Sequence, residues 1–394
     1  MDYDLLIVGG GPAGLIAARD AAMEGLDVCV IEKSQEIGYP VKCSGLFSIR
    51  GLEQLGVRVR DHLICSTIRG GRFYSPGGED FLAYSRQDRA RVVERKLFDK
   101  ELAKEAVRAG AEIRLKSHAT GLKVDGAIHL KVNEMGLEKT LKAKLLIGAD
   151  GAGSNVAKWA GLKRQTAFVS ALQVEVPEAE VEEDVAEVYF GRRYAPGFYG
   201  WILPKGEVCE IGVGTGGGGG ATPGELLRRF MKEHPVAGKK IPSKSILELN
   251  TGAIPVGGPL ETTVADRVML VGDAAGQTKA STGGGVVTGG ICARAAARAA
   301  ARAIEENSFS KDFLSREYDQ RWRAELEKEL MAHLFLKNLL ASASDSELDQ
   351  LFRLVKEEGI PELMTQYADT DRPLDFVKQV MKKETILNWA QGFL

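Results

Sequence analysis

The chain has 394 residues, is 44% hydrophobic and carries a formal charge of −2. That length suits two or three interleaved lobes around one large ligand rather than a small single core. The charge gives no electrostatic case for nucleic acid as a partner, and no apolar run reaches the ~18 residues that span a bilayer.

The apolar run Tyr3–Val8 enters the turn Gly9-Gly10-Gly11-Pro12-Ala13-Gly14, and a helical pattern follows. A second apolar run, Val28–Ile31, ends at Glu32. This is a strand–turn–helix–strand unit with a dinucleotide mechanism. Gly9 allows the tight turn, Gly11 lets a pyrophosphate approach the backbone, and Gly14 lets the helix pack on the sheet. The helix N-terminus then faces the phosphates. Glu32 stands where a carboxylate accepts hydrogen bonds from the adenosine ribose. A glycine turn without a nucleotide would leave the agreement of strand, helix and acid unexplained.

Residues 36–80 read as loops and short segments covering the ligand. Leu97, Leu102, Ala106 and Val107 recur at helical spacing within Glu94–Ala109. Ala111–Leu115 and Leu145–Ala149 return as strands, and Gly153–Ala160 reads as a short helix. Then the pattern changes. Phe168–Val176, Ala186–Phe190, Phe198–Leu203 and Cys209–Val213 alternate or run apolar between turn residues, which predicts an antiparallel sheet. Gly214–Gly220 is a glycine-rich breaker, Pro223–His234 a helix and Ile246–Ile254 a further strand. Residues 265–275 rejoin the nucleotide domain. An alanine-rich helix runs from Gly289 to about Glu306, with Arg294, Arg298 and Arg302 in one stripe. The stripe suits a solvated face or contact with anionic lipid head groups. Residues 310–394 read as helices with breaks near Ser342–Ser344, Gly359–Pro361 and Asp371–Pro373. The expected division is 1–165, first part of the cofactor domain; 166–255, a sheet lobe; 256–308, the return segment; and 309–394, a helical region.

The cysteines (Cys29, Cys43, Cys65, Cys209, Cys292) are odd in number and lack CxxC spacing. His62, His118, His129, His234 and His333 lack ligand spacing. Neither a disulfide framework nor a metal site is expected. The N-terminus enters a strand at once, without a signal or transit pattern, so a reducing cytoplasm is the expected compartment.

Four ordered segments resemble flavoproteins of the p-hydroxybenzoate hydroxylase type. They are the Gly9–Gly14 turn, Val93–Leu102 with Arg95, Ile147–Gly151, and Val268–Ala275 followed by Thr282–Val286. The resemblance implies FAD and an α/β fold: a Rossmann-like FAD-binding domain, an antiparallel-sheet substrate lobe and a helical C-terminal region. Tyr39–Leu46, Tyr199–Gly206 and Gly272–Gly285 narrow it further. They resemble the geranylgeranyl reductase family, especially the archaeal branch that saturates the isoprenoid chains of ether lipids. Ser344–Leu351 resembles a late helical segment of that branch. Leu203 stands where the family usually has phenylalanine, Ala280 where it often has proline, and Ser44-Gly45 where many relatives have Gly-Glu or Gly-Asp. These departures leave the flavin site intact and bear on chain length and substrate choice.

Carried over, the resemblance implies that Gly9, Gly11, Ala13 and Gly14 hold the pyrophosphate and Glu32 the ribose. Arg95 and Ala119 contact the adenine half. Cys43, Ser44 and Leu46 line the flavin side, and Asp273, Gly285 and Val286 hold the ribityl chain and ring edge. Tyr199 and Trp201, two apart on one strand face, border the substrate, although core packing is their plain alternative. Cys43 is the candidate catalytic acid or relay, and packing is its alternative too. Lys205 is open between a turn charge and a role. The implied partners are a polyprenyl lipid and a small electron donor such as ferredoxin, since no second GxGxxG follows a convincing strand. Contact with the cytoplasmic membrane face is expected from the substrate's insolubility. Rival readings on the same fold are a flavin monooxygenase or halogenase, a flavin-dependent binding or sensor module, and a chlorophyll-branch reductase.

Overall fold

The computed structural model describes residues 2–217, 220–242, 245–367 and 369–393. Positions 218 and 219 of the predicted glycine-rich breaker, and 368 and 394 of the helical region, lie outside the described residues.

An eight-stranded sheet forms the first lobe. Strand Tyr3–Val8 runs parallel between Val28–Ile31 and Leu137–Gly148, and Val268–Leu270 joins the far side of Leu137–Gly148. Leu5, Leu6, Ile7, Val28, Val30, Leu145, Leu146 and Ile147 are fully buried, as strands covered on both faces must be. Helices Pro12–Met23 and Val286–Glu305 pack against each other in the same core. The residues after 265 thus return to the first lobe. An antiparallel hairpin, Ser117–Val124 with Ile128–Glu134, extends the sheet from Leu137–Gly148.

A seven-stranded sheet forms the second lobe. Phe168–Val176 pairs antiparallel with Val208–Thr215 and with Glu248–Pro255, and Gly200–Lys205 pairs with Val208–Thr215 and Val185–Tyr189. The sheet also takes Gly70–Tyr74 and Asp80–Tyr84, from the interval read as loops and short segments. It therefore crosses the division at 165 expected from sequence. Helix Pro223–Glu233 covers its outer face, closed at its start by a Thr222–Glu225 capping box.

The C-terminal region is helical: Lys311–Leu314, Gln320–Ser342, Asp345–Glu357, Ile360–Tyr367, Leu374–Val380 and Glu384–Gln391. Two arginines of the predicted stripe are engaged within the fold, Arg294 partly buried and Arg302 at the surface. Arg294 donates to Asp20, Gln54 and Leu55, and Arg302 to Glu317 and Glu306. Among the described residues no helix is long and apolar enough to cross a membrane.

Candidate functional site

One cavity of about 1580 Å³ runs between the two sheets and beneath the C-terminal helices. It exceeds the ~300–1,000 Å³ of ordinary small-molecule sites, so it has room for a dinucleotide and a second ligand. Every residue singled out above as a cofactor, substrate or catalytic candidate lines it, except Gly14.

At one end the backbone fixes the geometry. Gly9 has φ +111°, which side-chain-bearing residues rarely adopt, and a Cβ there would lie 2.2 Å from the Ala149 carbonyl oxygen. A Cβ at Gly14 would lie 2.0 Å from the Gly9 carbonyl oxygen, so Gly14 sits inside the helix–strand contact. A Cβ at Gly11 would meet nothing within 4 Å. Gly11 opens onto the cavity, and no side chain caps the helix that begins after it. Open space beside free N–H groups at a helix N-terminus is what a pyrophosphate requires.

The Glu32 carboxylate accepts from Gly10 N and Ser34 N, both at 2.7 Å, which clamps it on the cavity wall. Two carboxylate oxygens offer about four acceptor sites, so capacity remains for ribose hydroxyls. Ala119 lies next to this corner, on the strand whose Ser117 N donates to Glu32 O at 2.9 Å. Asp150 caps helix Asn155–Trp159, accepting from Ser154 Oγ at 2.6 Å and Asn155 N at 2.7 Å, and lines the cavity as well.

Further along, Asp273 accepts from the Thr278 hydroxyl at 2.7 Å. Burial raises its carboxyl, opposed by Thr278, Arg95 and Lys42. A Cβ at Gly285 would lie 2.9 Å from Asp273 Oδ1, so the glycine turn and the acid are in close contact. Val286 opens a second helix without a side-chain cap. Arg95 holds Asp99 through two bonds, at 2.9 and 3.1 Å. Burial works against its charge, and Asp99 and Cys43 beside it more than compensate. Arg95 therefore has Asp99, Cys43 and Asp273 as its electrostatic neighbours. Cys43, half-buried, Ser44 and Leu46 line the cavity beside it.

The inner face of the second sheet forms the next wall. Tyr199 Oη donates to Thr282 O at 2.6 Å, tying this wall to the glycine turn. Its ring stacks on Phe198 at 4.2 Å and meets Trp201 edge-on at 6.0 Å. Burial, with Cys43 nearby, pushes its phenol up. The Trp201 indole lies over Gly212, where a Cβ would come within 2.1 Å of the ring. Lys205, open between a turn charge and a role, is buried in an ion pair with Glu175.

Glu210, absent from the candidates drawn from sequence, is 1% exposed, and its Oε1 has no hydrogen-bond partner. Burial pushes its carboxyl up to about 8. Folded protein therefore keeps a proton on Glu210 between its ordinary 4.5 and about 8, while unfolded protein loses it. Stability must fall as pH rises through that window. Glu210→Gln is expected to remove the decline, with a gain on the order of a few kcal/mol by pH 8. Urea melts from pH 5 to 8.5 check this; parallel pH profiles for both proteins would contradict it.

The last wall comes from the C-terminal region, through Met364–Tyr367 and Asp369–Asp371. Lys279 Nζ pairs with Asp371 Oδ1 at 2.7 Å, and Asp371 also accepts from Ser48 Oγ. His333 Nδ1 meets Ser281 Oγ at 2.6 Å, and burial pushes that imidazole down to about 3, so it is neutral. Nothing local in the sequence signals this cluster, because Lys279 and Asp371 are 92 positions apart. Among the described residues no group of His, Cys, Asp and Glu is assembled as a metal centre.

Two uncapped helix starts, a clamped carboxylate at the end of the second strand and a buried aspartate beside a glycine turn define a flavoprotein of the FAD-binding class. The family model for the FAD binding domain matches residues 2–230, and the model for lycopene cyclase protein matches residues 219–362. The digeranylgeranylglycerophospholipid reductase of Methanocaldococcus jannaschii is 36% identical, covering 100% of this chain and 98% of its own length. That of Methanosarcina acetivorans is 38% identical over 90% of this chain and 89% of its own. The chain belongs to the digeranylgeranylglycerophospholipid reductase family. A geranylgeranyl bacteriochlorophyll reductase-like protein of Thermoplasma acidophilum superposes with a TM-score of 0.87, at 29% identity, over 100% of this chain and 99% of that one. A flavin-dependent brominase superposes at 0.74 with 17% identity, over 97% and 99%, a likeness of fold alone.

Proposed function

We propose that this protein is a flavin-dependent reductase that saturates isolated carbon–carbon double bonds in geranylgeranyl chains of archaeal-type ether-lipid precursors. The observation that carries the reading is the single cavity joining the dinucleotide end to the inner sheet face, in a chain of this family. FAD, when bound, supplies the electron pair that reaches the alkene as hydride. Each bond saturated takes up one hydride and one proton. An isolated trisubstituted alkene has no carbonyl to act as an electron sink, so the protein must fix the chain, exclude water and hold the proton donor close.

In this reading Gly9, Gly11, Ala13 and the start of Pro12–Met23 hold the pyrophosphate, with Gly14 keeping that helix in place. Glu32 takes the ribose, and Ala119 borders the adenine. Asp273, Gly285 and Val286 take the ribityl chain and ring edge. Arg95, held by Asp99, stays charged beside Cys43, Ser44 and Leu46. Cys43 carries the proton. Phe73, Ala186, Val188, Trp201 and Leu203 supply an apolar wall along which a prenyl chain can lie. A ferredoxin or another small reductant restores the reduced cofactor. The lipid is met at the cytoplasmic membrane face by peripheral contact.

The test is mass spectrometry of a prenyl phospholipid in liposomes after incubation with the dithionite-reduced, FAD-loaded protein. A gain of about 2 Da per saturated bond is expected, with the protein floating with the vesicles. Oxygen-dependent turnover of a small soluble aromatic, without hydrogenation of any prenyl lipid, would assign it to the oxygenase class instead. Trp201→Ala is expected to lower saturation by about tenfold or more while flavin content stays at the parent level, since the indole positions the chain and not the cofactor. Equal loss of flavin and activity would make Trp201 a core residue.

A further inference from the structure

We infer that Arg89, together with Arg50, receives the phosphate of the lipid at the mouth of the cavity, leaving the prenyl chains to enter ahead of it. This rests on the prenyl-lipid reading above and adds the residues that read the head group.

Arg89 immediately precedes strand Ala90–Val93, and Arg50 lies in the first turn of helix Ile49–Gln54. Ile49 N donates to Arg89 O at 3.1 Å, so the two side chains leave neighbouring backbone segments. Both line the cavity. Both also reach the same stretch of the C-terminal region. Arg89 Nη2 donates to Thr365 O at 3.0 Å, and Arg50 Nη1 to Asp369 Oδ2 at 3.3 Å. Thus two guanidinium groups from adjoining elements stand where the C-terminal wall meets strand Ala90–Val93 and helix Ile49–Gln54.

The charges around them decide what they can bind. The carboxylates that line this part of the cavity are Glu53, Asp88, Asp369 and Asp371, the last already paired with Lys279 at 2.7 Å. Asp88 is taken by Arg69 at 2.9 Å, and Asp369 answers Arg50. Arg89 makes no ion pair among the described residues; its guanidinium bonds to a neutral carbonyl. Arg50 is weakly held, with its side chain 83% exposed and a single contact at 3.3 Å. Exposed pairs of that kind contribute little, so an incoming anion displaces little. A guanidinium fork matches a phosphate through two parallel N–H donors, a geometry that a point charge does not offer.

Location supplies the second half of the argument. A phosphate cannot follow its chains along a wall of Phe73, Ala186, Val188 and Leu203 without losing hydration that nothing there replaces. It has to stop at a rim that is both wet and cationic. The rim at Arg50 and Arg89 is exposed and carries one cation without a carboxylate. Stopping there fixes which end of the lipid leads and how deep the chains reach.

The experiment measures binding of two ligands to the FAD-loaded protein through the perturbation of flavin absorbance. One is a digeranylgeranyl glycerophospholipid; the other has the same chains with the phosphate removed. Arg89→Gln is expected to raise Kd for the phosphorylated lipid by about tenfold, the Arg50→Gln/Arg89→Gln pair by about a hundredfold. The dephosphorylated lipid should bind all three proteins alike. Arg89→Lys should recover part of the loss. Inorganic phosphate at millimolar concentration should compete with the phospholipid in the parent and not in the double variant, and a saturated phospholipid without prenyl chains should compete no better than it does. A stronger effect of the saturated phospholipid would mean that the arginines hold the bilayer and not the substrate, overturning the proposal. So would equal losses for both ligands, or none for either. If the parent reduces neither lipid, the reductase reading itself fails; if it reduces both and the variants bind them as the parent does, the phosphate site alone fails.

Discussion

Gly11→Ala should leave the protein folded and colourless, while Gly14→Ala should leave it both colourless and unstable. The two positions are three residues apart in one turn, yet their surroundings differ completely. A Cβ at Gly11 meets no protein atom within 4 Å, and the residue's φ of −81° suits any amino acid. The methyl group instead enters the space left for the pyrophosphate. Flavin affinity should drop by at least about a hundredfold, in line with an obstructed set of charge-assisted bonds. The thermal midpoint of the flavin-free protein should move little. At Gly14 the methyl would lie 2.0 Å from the Gly9 carbonyl oxygen and 3.2 Å from Ala149 Cβ. Helix Pro12–Met23 must then lift from strand Tyr3–Val8, in a core where Leu15, Ile16, Ala17 and Ala18 are buried. Overpacking of this kind costs about 1–3 kcal/mol or more. Flavin absorbance per mole of protein, together with a melt of each apoprotein, separates the two. A yellow Gly11→Ala protein with unchanged affinity would mean that the pyrophosphate lies elsewhere.

That contrast also shows why the cofactor end is legible in the sequence. The Gly9–Gly14 turn, Glu32 and the Gly272-Asp273 segment work through local backbone geometry, and their spacing survives in a linear reading. Asp273, Gly285 and Val286 need only a short loop to come together. Other parts of the site are made by distance. Gly70–Tyr74 carries two glycines and little alternation, and it becomes a strand because Val185–Tyr189 and Asp80–Tyr84 pair with it on either side. The hairpin at 117–134 has its alternation in Ile128, Leu130 and Val132, but long polar side chains between them weaken the pattern. Glu210 sits in a strand whose sequence looks ordinary, and only burial beneath Gln173 and Trp201 makes it an acid that keeps its proton. Lys279, Asp371 and Ser48 come from three separate regions of the chain, so no window contains them. Arg95 shows the same limit at one residue. Its helix Arg95–Ala109 is plain from periodicity, but the direction of its side chain depends on Asp99, one turn on, holding the guanidinium.

Cys43→Ala should keep the flavin and lose the saturation step. Cys43 lines the cavity in the short loop before strand Leu46–Ser48, with Arg95 and Tyr199 beside it. Two of its neighbours are poor sources of the proton for that step. Tyr199 spends its hydroxyl hydrogen on Thr282 O, and burial holds that phenol protonated. The Arg95 guanidinium is locked on Asp99 and does not deprotonate. Removing a positioned acid lowers a proton-transfer step by about 10²–10⁴-fold, so single-turnover saturation should fall by at least about a hundredfold. Packing is a weak alternative cause, because Cys43 is only half-buried and the variant loses a single sulfur atom. Cys43→Ser separates the two. A hydroxyl fills the same space and still carries a proton, but is a much poorer acid, so its rate should fall between those of the parent and Cys43→Ala. The readouts are flavin absorbance for occupancy and lipid mass for saturation, after mixing pre-reduced protein with a prenyl phospholipid without oxygen. If Cys43→Ala saturates the chain at the parent rate, the thiol is a packing group and the proton arrives by water.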